Sequence, residues 1–506
     1  MKKIVLINPQ SPDNFWTLNG LCRLIHKSAL MPPLALATVS ALTPPDYEVT
    51  IVDEAVTPID YDVPCDLVGI TGYTIHQERM ATIAAEFRKR GVFTVGGGPY
   101  CSSHPEDSQR MFDVVIVGEA DRVWPEFLRD WAQGAPRALY EEPEKLDIQT
   151  LPLPRWDSVR LDRYGVGIVQ TSRGCPYDCE FCDVVALLGR KMRYKTVEQV
   201  AAEITQLVQR GTLEIFFADD NFIGNSAYAK QLLRRLIELN QTFRYPLRYT
   251  TQVTINLAQD DELLDLFKRA NFHGLFVGIE TPRKASLEAA NKRHNLKDDV
   301  KEAVRKVQSR GIIIIPGMIV GFDTDDLAIF EEQRVFLQEA GLLLPMMGIL
   351  MAPKGTKLWH RLEQEGRLLP FEYGNNFFLT NIIPKQMSKP ELEARYLSLL
   401  QTVYTPEHFI NAYRAFLAQV DLNEIRHNSA VSRMIGIRTS HISYLFSGVY
   451  VIKHYLWGDA QRRRLFWTIL KMTVKKSAQC IPLALYSLVH FASHHEFITK
   501  RLPGPV

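Results

Sequence analysis

Thr171-Ser172-Arg173-Gly174-Cys175-Pro176-Tyr177-Asp178-Cys179-Glu180-Phe181-Cys182 is the stretch that decides how the rest of the chain is read. Cys175, Cys179 and Cys182 stand at C-x3-C-x2-C spacing, directly after the apolar run Gly167–Thr171. Three thiolates on one short loop can ligate three irons of a cubane iron–sulfur cluster and leave the fourth iron without a protein ligand. That open iron can take a small chelating molecule through an amine and a carboxylate. Structural zinc wants four protein ligands. No further Cys or His follows nearby, the next cysteine being Cys480, and His273 and His294 are partners only if the fold brings them close.

Downstream of the loop, the sequence reads as a βα series. Thr196-Val197-Glu198-Gln199 is a capping box, and Val197, Val200, Ala201, Ile204, Leu207 and Val208 mark one helical face. Further strands are expected at Leu213–Ala218, Tyr249–Ile255, Leu275–Ile279, Ile312–Ile319 and Met347–Met351. Six strands alternating with helices over 164–355 predict a partial or full βα barrel with its chemistry at the strand carboxyl ends.

Upstream, residues 1–140 repeat a shorter pattern of strand, turn and helix. The strands are Ile4–Ile7, Val49–Val52, Leu67–Thr71, Val92–Val95 and Val114–Val117. Runs that are apolar throughout imply a parallel sheet covered on both faces, a doubly wound α/β domain. Ligands of such sheets sit beyond the strand carboxyl ends. Those ends carry Asn8, Asp53-Glu54, Thr71-Gly72-Tyr73, Gly96-Gly97-Gly98-Pro99 and Gly118-Glu119. Consecutive glycines let a backbone approach a large flat or phosphorylated ligand, although a tight βα turn explains them equally. Residues 141–163, with Pro143, Pro152 and Pro154, read as an inter-domain linker. Trp16 and Met31 are candidates to cover the domain interface.

Residues 356–506 read as helical, Pro390 opening the pattern Leu392, Tyr396, Leu399, Leu400. Beyond Arg426 the tail turns basic and apolar: Arg462, Arg463, Arg464, Lys471, Lys475 and Lys476 interleave with Phe466, Trp467, Ile469 and Leu470. Such a segment can lie in a membrane interface. It can equally cap the barrel with its basic face solvated.

Composition sets the outer limits. A chain of 506 residues suggests about three domains. With 46% hydrophobic and 23% charged residues it is globular rather than disordered or collagen-like. A net charge of +2 gives no field for nucleic acid. Seven cysteines in this length are no disulfide scaffold. The start, Met1–Pro9, has too short an apolar run for a signal peptide, and no run suffices for a membrane span. A cytoplasmic protein is the expectation, with membrane association through its tail as the alternative.

Cys175-x3-Cys179-x-Phe181-Cys182 after a first barrel strand resembles the radical S-adenosylmethionine superfamily. That resemblance implies a [4Fe-4S] cluster on the three cysteines, S-adenosylmethionine on the open iron, and an external electron donor of flavodoxin or ferredoxin type. In the family, an electron from the cluster cleaves the sulfonium to give a 5′-deoxyadenosyl radical. The resemblance assigns Phe181, Asp219, Asp220, Glu280, Gly317 and Ile319 to the S-adenosylmethionine site, with Asp219 and Asp220 where relatives bind the methionine amine and Glu280 where they bind ribose. Helix capping by the two aspartates, and a surface or linker role for Glu280, are the plainer alternatives.

The domain order is similar to that of cobalamin-dependent members of this superfamily. Gly96-Gly97-Gly98-Pro99-Tyr100, Val117-Gly118-Glu119-Ala120, the run Asp219–Asn225, Val320-Gly321-Phe322-Asp323 and Pro384-Lys385-Gln386-Met387 resemble the subgroup of hopanoid C-2 methylases, related to the anaerobic magnesium-protoporphyrin ester cyclase. The likeness spans about residues 1–415 and implies cobalamin on Asn8, Thr71, Gly72, Tyr73, His76, Gly96, Gly97, Gly98, Pro99, Gly118 and Glu119. One departure stands out: the Asp-x-His-x-x-Gly loop that supplies a cobalt ligand in many cobalamin proteins is missing. His76 is the nearest candidate by position, with helix capping or solvent exposure as its plainer roles. The implied activity is methylation of an unactivated carbon of a hydrophobic substrate. A cobalamin-dependent cyclase or oxidase without methyl transfer, and a non-catalytic corrinoid or redox sensor, are the competing readings.

Overall fold

The computed structural model describes residues 1–14, 17–297, 299–370, 378–426 and 453–502. The first sheet contains β1 (Lys2–Asn8), β2 (Tyr47–Asp53), β3 (Leu67–Thr71), β4 (Phe93–Gly97), β5 (Val114–Val117) and β6 (Leu139–Glu141). Its order is β2-β1-β3-β4-β5-β6 and every pairing is parallel. This is doubly wound topology, with the order reversing between β1 and β3. Ile4 and Leu6 pack into one apolar cluster and Val5 and Ile7 into another, so both faces of β1 are buried. That is why these strands read as unbroken apolar runs.

The second domain begins with β7 (Gly167–Val169), followed by β8 (Ser172–Arg173), β9 (Arg193–Tyr194), β10 (Glu214–Phe217), β11 (Arg248–Val253), β12 (Phe272–Glu280), β13 (Ile313–Val320) and β14 (Met346–Ile349). Six of them form a parallel sheet in the order β14-β13-β12-β11-β10-β7. It is an open half-barrel rather than a closed one. The expected capping box is present: Thr196 N–H donates to Gln199 Oε1 at 2.9 Å and Gln199 N–H to Thr196 Oγ1 at 3.2 Å. The antiparallel pair β8–β9 is not foreshadowed in the sequence.

The stretch 141–163 is fastened rather than slack. Leu139–Glu141 adds β6 to the first sheet, Ile148 and Trp156 are buried, and Ile51 N–H donates to Ser158 Oγ at 3.0 Å. The backbone of Ala29 and Leu30 accepts from Gly165 and Val166, tying the segment after β1 to the start of the half-barrel. Met31 is partly exposed; Trp16 lies outside the described residues.

The helices Pro406–Gln419, Ala460–Lys476 and Ile481–Arg501 share one apolar cluster, in which Phe409, Phe416, Phe466, Ile469, Leu488 and Phe491 are buried. The last helix also packs on Asn19–Leu24 near the chain start. Most of the apolar side chains of these three helices are therefore spent on the protein itself. No helix among the described residues is long and apolar enough to cross a membrane.

Candidate functional site

The cysteine loop leaves β7 and is tied at its neck by β8 and β9, where Ser172 faces Tyr194 and Arg173 faces Arg193. Gly174 stands at φ +94°, where a Cβ would come within 2.8 Å of the Gly189 carbonyl, so only glycine lets the returning strand close on the loop. Farther along, Glu180 N–H donates to the Ala290 carbonyl and the Glu180 carbonyl accepts from Leu358 N–H. Asp178 pairs with Lys357, and Glu180 with Arg361. The Tyr177 ring stacks on His294 with 3.7 Å between centroids, and its hydroxyl accepts from Asn256 Nδ2 at 3.3 Å. The loop is pinned along its whole length.

Cys175, Cys179 and Cys182 are all partly buried and unpaired. Burial pushes all three thiols up, Cys182 to about 12. The ammonium of Lys292 opposes that rise at each of the three, so they share one electrostatic space. Lys292 donates to Glu280 Oε1 at 2.6 Å. Burial pulls Lys292 down, but Glu280 and the nearby thiols more than offset it. Loading metal on this loop must release protons, and a fixed cation beside it favours the thiolate form. No three His, Cys, Asp or Glu side chains among the described residues come together as a single ion would require. The donor set, three thiols from one loop, suits a multi-iron cluster with an open corner better than zinc.

The structure separates the two adjacent aspartates. Asp219 is fully buried and points back under the loop, accepting from Thr171 Oγ1 at 2.8 Å, from Ser172 Oγ and from Thr171 N–H. It fixes the start of the cysteine loop and is not free to meet a cosubstrate, which corrects the expectation for it. Capping is not its role either: Asn225 caps the following helix. Asp220 Oδ2 and both amide atoms of Asn221 are buried without a hydrogen-bond partner. Such atoms are costly to leave unmade, and they point to a polar ligand at this strand end.

Across the mouth, Glu280 closes β12 in the left-handed region at φ +68°, a costly conformation for a residue other than glycine. Asn295 Nδ2 donates to the carbonyls of Gly278 and Ile279 beside it. Gly317 pairs in register with Gly278, and a Cβ there would lie 2.9 Å from the Phe276 ring. Phe181 and Ile319 pack with Phe322 and Leu350 under the loop.

In the first domain, several expected ligand contacts are used internally. Asn8 Nδ2 donates to Asp53 Oδ1 at 3.2 Å, and Tyr164 Oη donates to Asp53 Oδ2 at 2.8 Å. His76 is buried, its Nδ1 accepting from Tyr73 N–H at 3.0 Å and its Nε2 lying 2.7 Å from Ser11 Oγ. Burial lowers its pKa to about 4. Neutral and engaged at both nitrogens, it caps a turn and cannot ligate cobalt as placed. Gly96 abuts Phe112, where a Cβ would lie 2.3 Å from the ring, so it serves packing. Gly72 meets Met80 and His76, Gly98 at φ +88° presses on Thr71 Oγ1, and Gly118 N–H donates to Ser102 Oγ at 2.9 Å. Gly97 alone of the triplet faces open space, its nearest neighbour Ile116 being 4.0 Å from a built Cβ.

Glu119 belongs to a buried clasp between the domains. Its oxygens accept from Arg193 at 2.6 and 2.7 Å and from Arg173 Nη1 at 2.8 Å, and Arg173 also pairs with Asp121. Burial would raise its carboxyl, yet Arg193 and Arg173 hold it below the usual value. It is a tie to β8 and β9, not a cofactor contact.

Tyr73 and Pro99 line a cavity of about 600 Å³ between the two sets of strand ends. Tyr73 is 63% exposed and projects into it. Enclosure by the cavity walls and then the carboxylates of Asp183 and Asp220 raise its phenol, and those two acids put the ring on the cysteine-loop side. Leu187 from the short helix after the loop and Met351, Trp359 and Leu368 from the far side make most of the wall apolar. Besides Tyr73 and Pro99, only Asp183, directly after Cys182, carries any signal in the sequence.

A model of the radical SAM superfamily matches residues 169–332, and a second, described as a domain of unknown function (DUF4070), matches residues 356–502. An uncharacterized methyltransferase of Synechocystis is 33% identical over 82% of this chain and 78% of its own length. The hopanoid C-2 methylase of Rhodopseudomonas palustris is 33% identical over 73% of this chain and 71% of its own. Among solved structures, the cobalamin-dependent S-adenosylmethionine radical enzyme OxsB, with aqua-cobalamin and S-adenosylmethionine bound, is similar with TM-score 0.62, at 14% identity over 99% of this chain and 80% of its own.

Proposed function

The chain belongs to the radical S-adenosylmethionine superfamily, and on that premise we propose that it is a C-methyltransferase that modifies an unactivated carbon of a hydrophobic small molecule with the help of cobalamin. The observation that carries this reading is one apolar cavity shared by the strand ends of a doubly wound sheet and the cysteine-loop side of a half-barrel. When bound, the cluster and S-adenosylmethionine supply a hydrogen-abstracting adenosyl radical, and cobalamin supplies the methyl group.

The chain's own residues divide into holders and positioners. Cys175, Cys179 and Cys182 hold the cluster. Asp220 and Asn221, with unpartnered buried polar atoms, take the amine end of the cosubstrate. Glu280, oriented by Lys292, takes a hydroxyl-bearing part, while Gly317, Ile319 and Phe181 shape the apolar side. Tyr73, Gly97 and Pro99 face cobalamin, with Thr71, Gly72, Gly98 and Gly118 setting the strand ends beneath. Asp219 and His76 act by fixing the backbone of Thr171 and Tyr73, and Glu119 by holding the Arg173 and Arg193 side chains. Leu187, Met351 and Trp359 exclude water from the space in which a radical must survive. An apolar wall of this kind, and the name of the hopanoid relative, support a polycyclic or similarly greasy substrate. An external one-electron donor of flavodoxin or ferredoxin type completes the system.

The test is anaerobic purification with cobalamin supplied, followed by iron, sulfide and corrinoid analysis and incubation with methyl-labelled S-adenosylmethionine and candidate lipids. Label in a lipid product together with 5′-deoxyadenosine is expected. 5′-Deoxyadenosine without labelled product would favour cyclisation or oxidation. Cofactor binding without any cleavage would leave a sensor.

A further inference from the structure

We propose that the exposed face of the Ala460–Lys476 helix docks this protein on an anionic phospholipid bilayer. The orientation of this helix is set by its other side. Leu465, Phe466 and Ile469 are buried, Thr473 Oγ1 lies 2.8 Å from Tyr413 Oη, and Phe466 stacks on Tyr455 with 5.8 Å between centroids. Tyr455 Oη in turn donates to the Leu488 carbonyl at 2.7 Å, which locks the helix to its neighbour. What points outwards is therefore fixed.

Beyond the first two residues, the outward residues are Arg463, Arg464, Trp467, Lys471, Val474 and Lys475. At a helical spacing of about 100° per residue they fall within an arc of roughly 120°. Trp467 and Val474 lie inside that arc, with Arg463 on one flank and Lys471, Arg464 and Lys475 on the other. Trp467 is 47% and Val474 52% exposed, and Trp457, just before the helix, is 74% exposed. No ion pair among the described residues reaches Arg463, Arg464, Lys471 or Lys475. Asp459 is taken up as the helix cap, accepting from Arg462 N–H at 2.8 Å, and no other acid occurs before Glu496.

A basic face that is merely solvated has no use for a large aromatic and a valine at its centre. An interfacial helix has: apolar side chains enter the headgroup boundary while flanking cations meet anionic lipid. The covered side is already satisfied by protein, so docking needs no unfolding. This surface goes beyond the proposed reaction and does not depend on it.

The test uses the full-length protein, without cofactors, and extruded vesicles of either phosphatidylcholine alone or equal parts phosphatidylglycerol and phosphatidylcholine. Co-sedimentation and a blue shift of tryptophan emission are expected with the mixed vesicles only, and both should weaken as salt rises. Each basic residue contributes about fivefold to partitioning, so the triple variant Arg464→Gln, Lys471→Gln, Lys475→Gln should bind on the order of a hundredfold more weakly. Trp467→Ser should weaken binding and reduce the blue shift, with thermal unfolding unchanged for both variants. Equal binding to the two vesicle types, no binding by the wild-type protein, or tighter binding to a DNA duplex than to the mixed vesicles would overturn the proposal. The wild-type comparison decides it even if a variant is poorly folded.

Discussion

Replacing Glu119 by Gln tests the electrostatic clasp that joins the first sheet to the cysteine loop. Gln keeps the shape but removes the charge that faces Arg193 and Arg173. Arg173 retains Asp121, whereas Arg193 is left with the carbonyls of Leu146 at 2.8 Å and Leu188 at 3.1 Å. Its side chain is only 7% exposed, so its charge is then stranded away from water. Breaking a buried pair from one side costs about 3–5 kcal/mol, and since Gln keeps one acceptor the expected loss is near 3 kcal/mol. The assay is denaturant unfolding of the cluster-free protein at neutral pH and again under acid conditions. Because the carboxyl of Glu119 is held below its ordinary 4.5, its contribution is complete above that value and disappears as the pH falls through the lowered one. Glu119→Gln has no such group to lose, so the gap between the proteins should narrow in acid. A variant within about 0.5 kcal/mol of wild type at neutral pH, or a gap that does not change with acid, would refute the reasoning.

Cys179→Ala should abolish iron and sulfide incorporation, and with it all cleavage of S-adenosylmethionine, measured by metal analysis and 5′-deoxyadenosine release. His76→Leu should leave the absorption spectrum of bound corrinoid unchanged while costing about 1–3 kcal/mol of stability, because Tyr73 N–H and Ser11 lose their partner; a change in that spectrum would restore His76 as a cobalt ligand. Gly96→Ala puts a methyl 2.3 Å from Phe112 and should lower the thermal midpoint through about 1–3 kcal/mol of overpacking, with no direct effect on ligand contacts. Burial, then Asp219 and Asp183, raise Asp220 to about 7, so folding loses stability as pH climbs from the ordinary carboxyl range to that value. Asp220→Asn should therefore stabilise the cosubstrate-free protein at pH values above 7 by on the order of 2–4 kcal/mol and weaken S-adenosylmethionine binding, read by thermal unfolding and by isothermal titration.

The first sheet was legible because its central strands are buried on both faces, and the second because its strands and helices alternate regularly. Ile4–Ile7 and Val114–Val117 have no polar alternation to confuse with anything else. The β8–β9 ribbon was not, since two-residue strands carry no period. Asp219 and Asp220 are neighbours in one polar run, and nothing in the sequence says that one is tied under the loop and the other left with a buried, unpartnered oxygen. His76 resembled a ligand because its partner Ser11 is 65 residues away. Glu119 in its glycine-acid turn looked like a cofactor contact until Arg173 and Arg193, 54 and 74 residues further on, came to meet it. Lys292 belongs to no motif and became visible only through its pairing with Glu280.

The short ribbon at the base of the cysteine loop has a consequence for maturation. With both ends cinched by backbone pairing, the segment is a moulded socket rather than a drifting tether, and the entropy of closing it is spent in folding. Assembly would then resemble seating an inorganic plug in a rigid fitting, so that ferrous iron and sulfide added to the folded, empty polypeptide should be accepted without a chaotropic step.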